Sequence, residues 1–107
     1  MKWSTKTELS MNLYELKILA EDKVLETYIQ ANEIFGKDFD LPSVVFDEHL
    51  GRVAGQACFS IKTIKLNPVL MSQNLSTFLN RTIPHECAHF FTDSLFRLAR
   101  PHGPEWR

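Results

Sequence analysis

The hydrophobic period changes twice along this chain, and that change constrains its fold more than any other feature. From about Ser10 to Phe35, apolar residues recur at Leu13, Leu16, Leu19 (or Ala20), Val24, Tyr28 and Phe35. Most spacings are three or four, the period of an amphipathic helix. Thr7 or Ser10 is placed to cap its start, and Gly36 stands where a helix often stops. Pro42 then opens a segment of different rhythm. Val44-Val45-Phe46, Arg52 to Phe59 and Ser60 to Leu66 read as three short strands, closed by Asn67-Pro68. They succeed one another too closely for a crossover helix, so an antiparallel meander is expected. The helical period returns over Gln73 to Asn80, with Leu75, Phe78 and Leu79. It continues after Pro84 as a stripe of Ala88, Phe91, Leu95 and Leu98. Pro84 either kinks one long helix or begins a new one at its first turn. The expected architecture is α+β: a long N-terminal helix, a small antiparallel three-stranded sheet, and helices packed on it.

The chain has 107 residues, the size of a single domain. Hydrophobic residues make up 44% and charged residues 23%, which excludes a disordered, collagenous or coiled-coil chain. No apolar run approaches the roughly 20 residues that span a bilayer, so no membrane partner is expected. Met1 to Glu8 lacks the apolar core of a secretory signal. With no export signal, Cys58 and Cys87 read as reduced thiols of a cytoplasmic protein. A net charge of −1 argues against a strongly basic nucleic-acid binder. The charge is uneven, however. Residues 1–50 carry five Lys against ten Asp and Glu, whereas residues 51–107 carry seven Lys and Arg against three acids. Two solvated faces of one domain account for that division better than an anion-binding face.

Residues 85–89 read His85-Glu86-Cys87-Ala88-His89. On an α-helix, residues four apart are separated by about 40° around the axis and about 6 Å along it. Both imidazoles therefore leave one face and can grip one metal ion. Glu86 lies one step round, too far aside to be the natural third ligand, and can instead act as general base toward a water activated by zinc. Cys87 points elsewhere and suits core packing.

A catalytic zinc site needs a third protein ligand and an open fourth position. Asp93 and Glu105 are candidates, and His102, in Arg100-Pro101-His102-Gly103-Pro104-Glu105-Trp106, is the better one. Thr92 and Leu95 occupy the positions where a metzincin has its Gly and third His, which excludes that class. His102 lies 13 residues beyond His89. A straight helix would put them roughly 20 Å apart, so the helix is expected to stop near Leu95 to Leu98 and the chain to double back. His49 reads as an exposed turn residue, Cys58 as a buried strand residue and Trp106 as a packing anchor.

Four segments then occur in a telling order: Gly55-Gln56-Ala57, Ile64-Lys65-Leu66-Asn67-Pro68-Val69-Leu70, Pro84-His85-Glu86-Cys87-Ala88-His89 and Pro101-His102-Gly103-Pro104-Glu105-Trp106. Together, over roughly residues 10 to 107, the chain resembles the SprT-like family of zinc metalloproteases, which includes the Spartan-type proteases. The resemblance implies a zincin-like minimal domain holding one zinc ion on His85, His89 and His102, with Glu86 as catalytic base. It implies that Ala54–Phe59 and Ile61–Leu66 form a hairpin beside the cleft, where an edge strand aligns an extended peptide. It also brings a substrate theme, since Spartan-type members degrade proteins crosslinked to DNA. Family members usually continue past the His102 segment and many end in a Cys-rich zinc ribbon. No four-cysteine cluster is present here, so residues 1–107 are read as a single metalloprotease domain, naturally short or cut short at its C-terminus.

The expected function is therefore a zinc-dependent endopeptidase acting on protein or peptide substrates, with DNA-associated proteins among them. The alternative is a non-catalytic, zinc-stabilised module that binds protein or DNA. The first is preferred because Glu86 serves no purpose in a plain structural site.

Overall fold

The computed structural model describes residues 11–99. The first helix, α1, spans Leu13–Phe35. Its cap is Asn12. Thr7 and Ser10, the caps expected from the sequence, lie outside the described residues. Asn12 Oδ1 accepts from Glu15 N at 2.8 Å while Asn12 N donates to Glu15 Oε1 at 3.1 Å. This reciprocal pair is a capping box, satisfying donors that the first turn otherwise leaves open. Gly36 ends the helix as expected, with φ of 64° in the left-handed region, and its N–H donates to Asn32 O.

The buried face of α1 is Leu16, Ala20, Val24, Tyr28 and Ala31. Ala20 rather than Leu19 is the buried member, and Leu13 and Phe35 are exposed. The small Ala20 and Ala31 let the helix approach the sheet and the C-terminal helix closely.

Three strands come next: β1 (Ser43–Phe46), β2 (Gly55–Cys58) and β3 (Thr63–Leu66), with a 3₁₀ turn at Glu48–Leu50 between the first two. The sheet is mixed, in the order β1-β3-β2. β2 and β3 form the expected antiparallel hairpin, with Gln56 opposite Lys65 and Ala57 opposite Ile64. The expected meander is corrected at β1, which pairs with β3 in parallel, Val44 opposite Ile64. A parallel pair needs a long connection but not a helical one. Residues 47–62, carrying the 3₁₀ turn and β2 itself, provide it. β3 takes the centre and is the most buried of the three strands, with Ile64 and Leu66 wholly buried and Thr63 nearly so.

Asn67 ties this sheet to the next helix. Its Oδ1 accepts from Val69 N and Leu70 N, capping the short helix α2 (Pro68–Gln73). Its Nδ2 donates to Gly51 O and Val53 O, and its own N–H donates to Ala54 O. One buried side chain thus holds the end of β3, the start of α2 and the loop into β2.

A short turn of helix, α3 (Leu75–Thr77), leads through a π-helical turn at Phe78–Thr82 into α4 (Ile83–Ala99). The backbone stays right-handed helical through this junction, and Pro84 sits in the first turn of α4, one of the two places expected for it. The wider turn just before it, with Ile83 N–H donating to Phe78 O, accommodates a ring that has no N–H to give.

α4 is helical through Ala99, the last described residue, so the stop expected near Leu95 to Leu98 does not occur there. Its buried face is also displaced. Ile83, Cys87, Phe90 and Phe91 enter the core, while Ala88 is exposed and Leu95 half-buried. Two elements pack on that face: β2 on the Glu86 side, and α1 against Phe91. Tyr28 and Phe91 join α1 to α4 with ring centroids 4.6 Å apart, and Phe59 and Phe90 meet edge-to-face at 5.2 Å. Among the described residues, no helix is long and apolar enough to cross a membrane.

Candidate metal and active site

The candidate site lies where the first residues of β2 cross the N-terminal half of α4. The i, i+4 spacing delivers what helix geometry requires. His85 and His89 are exposed on one side of α4, their ring centroids 4.5 Å apart and nearly perpendicular. Their Nε2 atoms are separated by 3.1 Å. Two nitrogens bound at about 2.0–2.1 Å to a tetrahedral ion lie about 3.4 Å apart. The pair therefore matches a shared metal within a few tenths of an ångström. One ligand atom from each of His85, Glu86 and His89 lies within 4.8 Å of the others. The donor set, two borderline imidazoles and a carboxylate, suits zinc.

Glu86 sits differently from the histidines. It is only 7% exposed. No hydrogen bond or ion pair reaches its carboxylate from the described residues, an unusual state for a buried charged group. It is covered by Gly55. A Cβ on residue 55 would stand 3.2 Å from Glu86 Cγ and from Leu66 Cδ2, and 3.4 Å from Lys65 O. A glycine lets the strand approach this closely without displacing these neighbours.

Beneath Glu86, burial pushes the Cys87 thiol up to about 12, with the Glu86 charge adding to it. Cys87 is thus a packing residue, as the sequence suggested. Cys58 is half-buried rather than buried, and both thiols are free. His49 is exposed beside Asp47, at 3.5 Å, away from the site.

Two grooves meet at Gly55 and Glu86. One, of about 770 Å³, runs past Ala54, Arg81, Asn80 and Thr77 to His85. The other, of about 280 Å³, runs past Gln56, Ala57 and Phe59 to His89. The structure thus brings together His85, Glu86 and His89. It does not bring in Asp93, whose Oδ2 is engaged by Arg97 Nε at 3.0 Å. His102 and Glu105 lie outside the described residues. Two residues of the site were given no role by sequence reasoning. Gly55, quoted there only within the Gly55-Gln56-Ala57 segment, acts as a positioning residue, and its signal was an isolated glycine inside a strand pattern. Arg81 lines the cleft, and its signal was its place one turn before His85.

A mixed sheet laid by its edge strand across a helix bearing His-Glu-x-x-His defines an α+β domain with a group able to hold a metal ion. Similarity to known proteins sharpens that class: the chain belongs to the SprT-like family, whose family model matches residues 24–107. Protein SprT of Vibrio parahaemolyticus is 38% identical over 93 residues, covering 87% of this chain and 56% of that protein. Protein SprT of Vibrio atlanticus is 41% identical over 85 residues, or 79% and 51% of the two chains. Protein SprT of Pasteurella multocida is 32% identical over 95 residues, or 89% and 57%. The chain spans about half the length of the curated relatives it matches. No solved structure matches it.

Proposed function

We propose that this chain is a zinc metallopeptidase domain that hydrolyses peptide bonds in protein substrates, DNA-associated proteins among them. The observation that carries the reading is Glu86. It is a buried carboxylate without a partner among the described residues, lying against both imidazoles and lining both grooves. A carboxylate so placed is useful only beside a cation and a reacting water. The alternative, a non-catalytic zinc-stabilised module, would use Glu86 only as a further metal ligand beside His85 and His89.

In this reading His85, His89 and His102 hold one zinc ion, which would supply Lewis acidity toward water and the scissile carbonyl. Glu86 takes a proton from the attacking water, holds it on its carboxyl, and delivers it to the departing amide nitrogen. Among the described residues, β2 has a sheet neighbour on one side only. Its other edge can pair with an extended peptide and carry the bond to be cut across Glu86. Two free thiols suit a reducing, intracellular setting.

The test is Glu86→Gln. The variant should keep its zinc and lose hydrolysis of an unstructured protein by about 10²-fold or more, the usual scale for a general acid–base group. Undiminished hydrolysis in the variant would overturn the mechanism.

A further inference from the structure

The two grooves differ in chemistry. The one reached through Ala54 is lined by Thr77, Asn80, Arg81 and Thr82, and the one reached through Gln56 carries Ala57 and the half-exposed ring of Phe59. Arg81 is exposed and, like Lys37 and Arg52, makes no ion pair with a described residue, but of these three it alone lines the groove beside Glu86. The π-helical turn that holds Arg81 precedes His85 closely, so the guanidinium belongs to the wall of the cleft and not to a distant face. Among the described residues, the one acid on that wall is Glu86. An unpaired guanidinium in a polar groove is a carboxylate receptor, because its planar fork matches two oxygens at once.

We propose that Arg81 selects substrates carrying Asp or Glu on one side of the bond to be cut, with an apolar residue preferred on the other. This rests on the peptidase reading for what is cut, but the preference itself is a property of binding. One helical turn is about 5.4 Å and an extended peptide rises about 3.3 Å per residue, so the acid falls within about two residues of the bond. The ends of β2 fix the asymmetry. A peptide lying along the strand meets Arg81 at the Ala54 end and Phe59 at the other, so reversing the order of acid and aromatic should matter.

The experiment uses the zinc-loaded Glu86→Gln protein and fluorescein-labelled peptides, read by anisotropy. Each peptide has a Ser/Gly frame, one Phe, and one Glu or Gln two to four residues before or after it. In one order of Phe and Glu, the Glu peptide should bind about fivefold tighter than its Gln twin, the scale of one partly exposed charge pair. Arg81→Ala should erase that advantage, and Arg81→Glu should transfer it to a Lys peptide. Equal affinity of Glu and Gln peptides would overturn the proposal, as would an advantage in both orders or one that survives Arg81→Ala. Displacement of all peptides alike by a short single-stranded DNA, with no Glu preference, would also overturn it and assign Arg81 to phosphate. Hydrolysis of unfolded casein by the parent chain, measured separately, reports on the peptidase reading alone.

Discussion

Gly55 and Glu86 are in such close contact that a methyl group on the glycine would lie 3.2 Å from Glu86 Cγ. The strand that borders the cleft and the carboxylate assigned to catalysis therefore share one packing constraint. Gly55→Ala should lower stability by about 1–2 kcal/mol, the usual cost of mild overpacking. It should also displace Glu86 and slow hydrolysis by more than that loss explains, with zinc content unchanged. Urea melts, elemental analysis and initial rates on the same preparation check all three.

Zinc content distinguishes the candidate ligands. The parent should carry about one zinc per chain, as a single three-histidine site requires. His85→Ala, His89→Ala and His102→Ala should each reduce it sharply. Asp93→Ala should not, because its carboxylate is already engaged by Arg97. Chelation should abolish hydrolysis and lower the melting temperature, since metal binding contributes to folding.

Asn67 makes four side-chain hydrogen bonds while buried. Asn67→Ala removes an N-cap and leaves the carbonyls of Gly51 and Val53 without this donor. A loss of about 2–4 kcal/mol is expected in urea denaturation. Asn67→Asp should recover only part of it, because the cap survives but the two donors do not.

Stability should fall in alkali. Burial, and then the nearby Cys87 and Asp40, raise the Tyr28 hydroxyl pKa above its ordinary 10.0. The folded state holds that proton more tightly than the unfolded one. The stabilisation is complete below the unfolded value and is lost as pH rises beyond it, where unfolding releases the proton. Cys87 acts in the same direction, from 9.0 toward about 12. Urea midpoints measured from about pH 8 to pH 11 should decline less steeply in Tyr28→Phe than in the parent, with the Cys87 part of the decline remaining.

Short-range geometry is the part of this protein that can be read from its sequence. The period of α1 and its stop at Gly36 are local properties, and so is the convergence of His85 and His89, because i, i+4 neighbours meet on any helix. The β2–β3 hairpin was legible because its strands are adjacent in the chain. Everything that depends on distant partners was settled by packing. Val44 pairs in parallel with Ile64 of β3, the strand at the centre of the sheet, whose Ile64 and Leu66 are wholly buried, and β2 is left at an edge among the described residues. At that edge β2 covers Glu86, Phe59 meets Phe90, and Tyr28 of α1 meets Phe91, so Ile83 and Phe90 are buried where the sequence pattern pointed to Ala88 and Leu95. No local pattern carries that choice, since one helix offers several apolar stripes and only the surface packed against it selects among them.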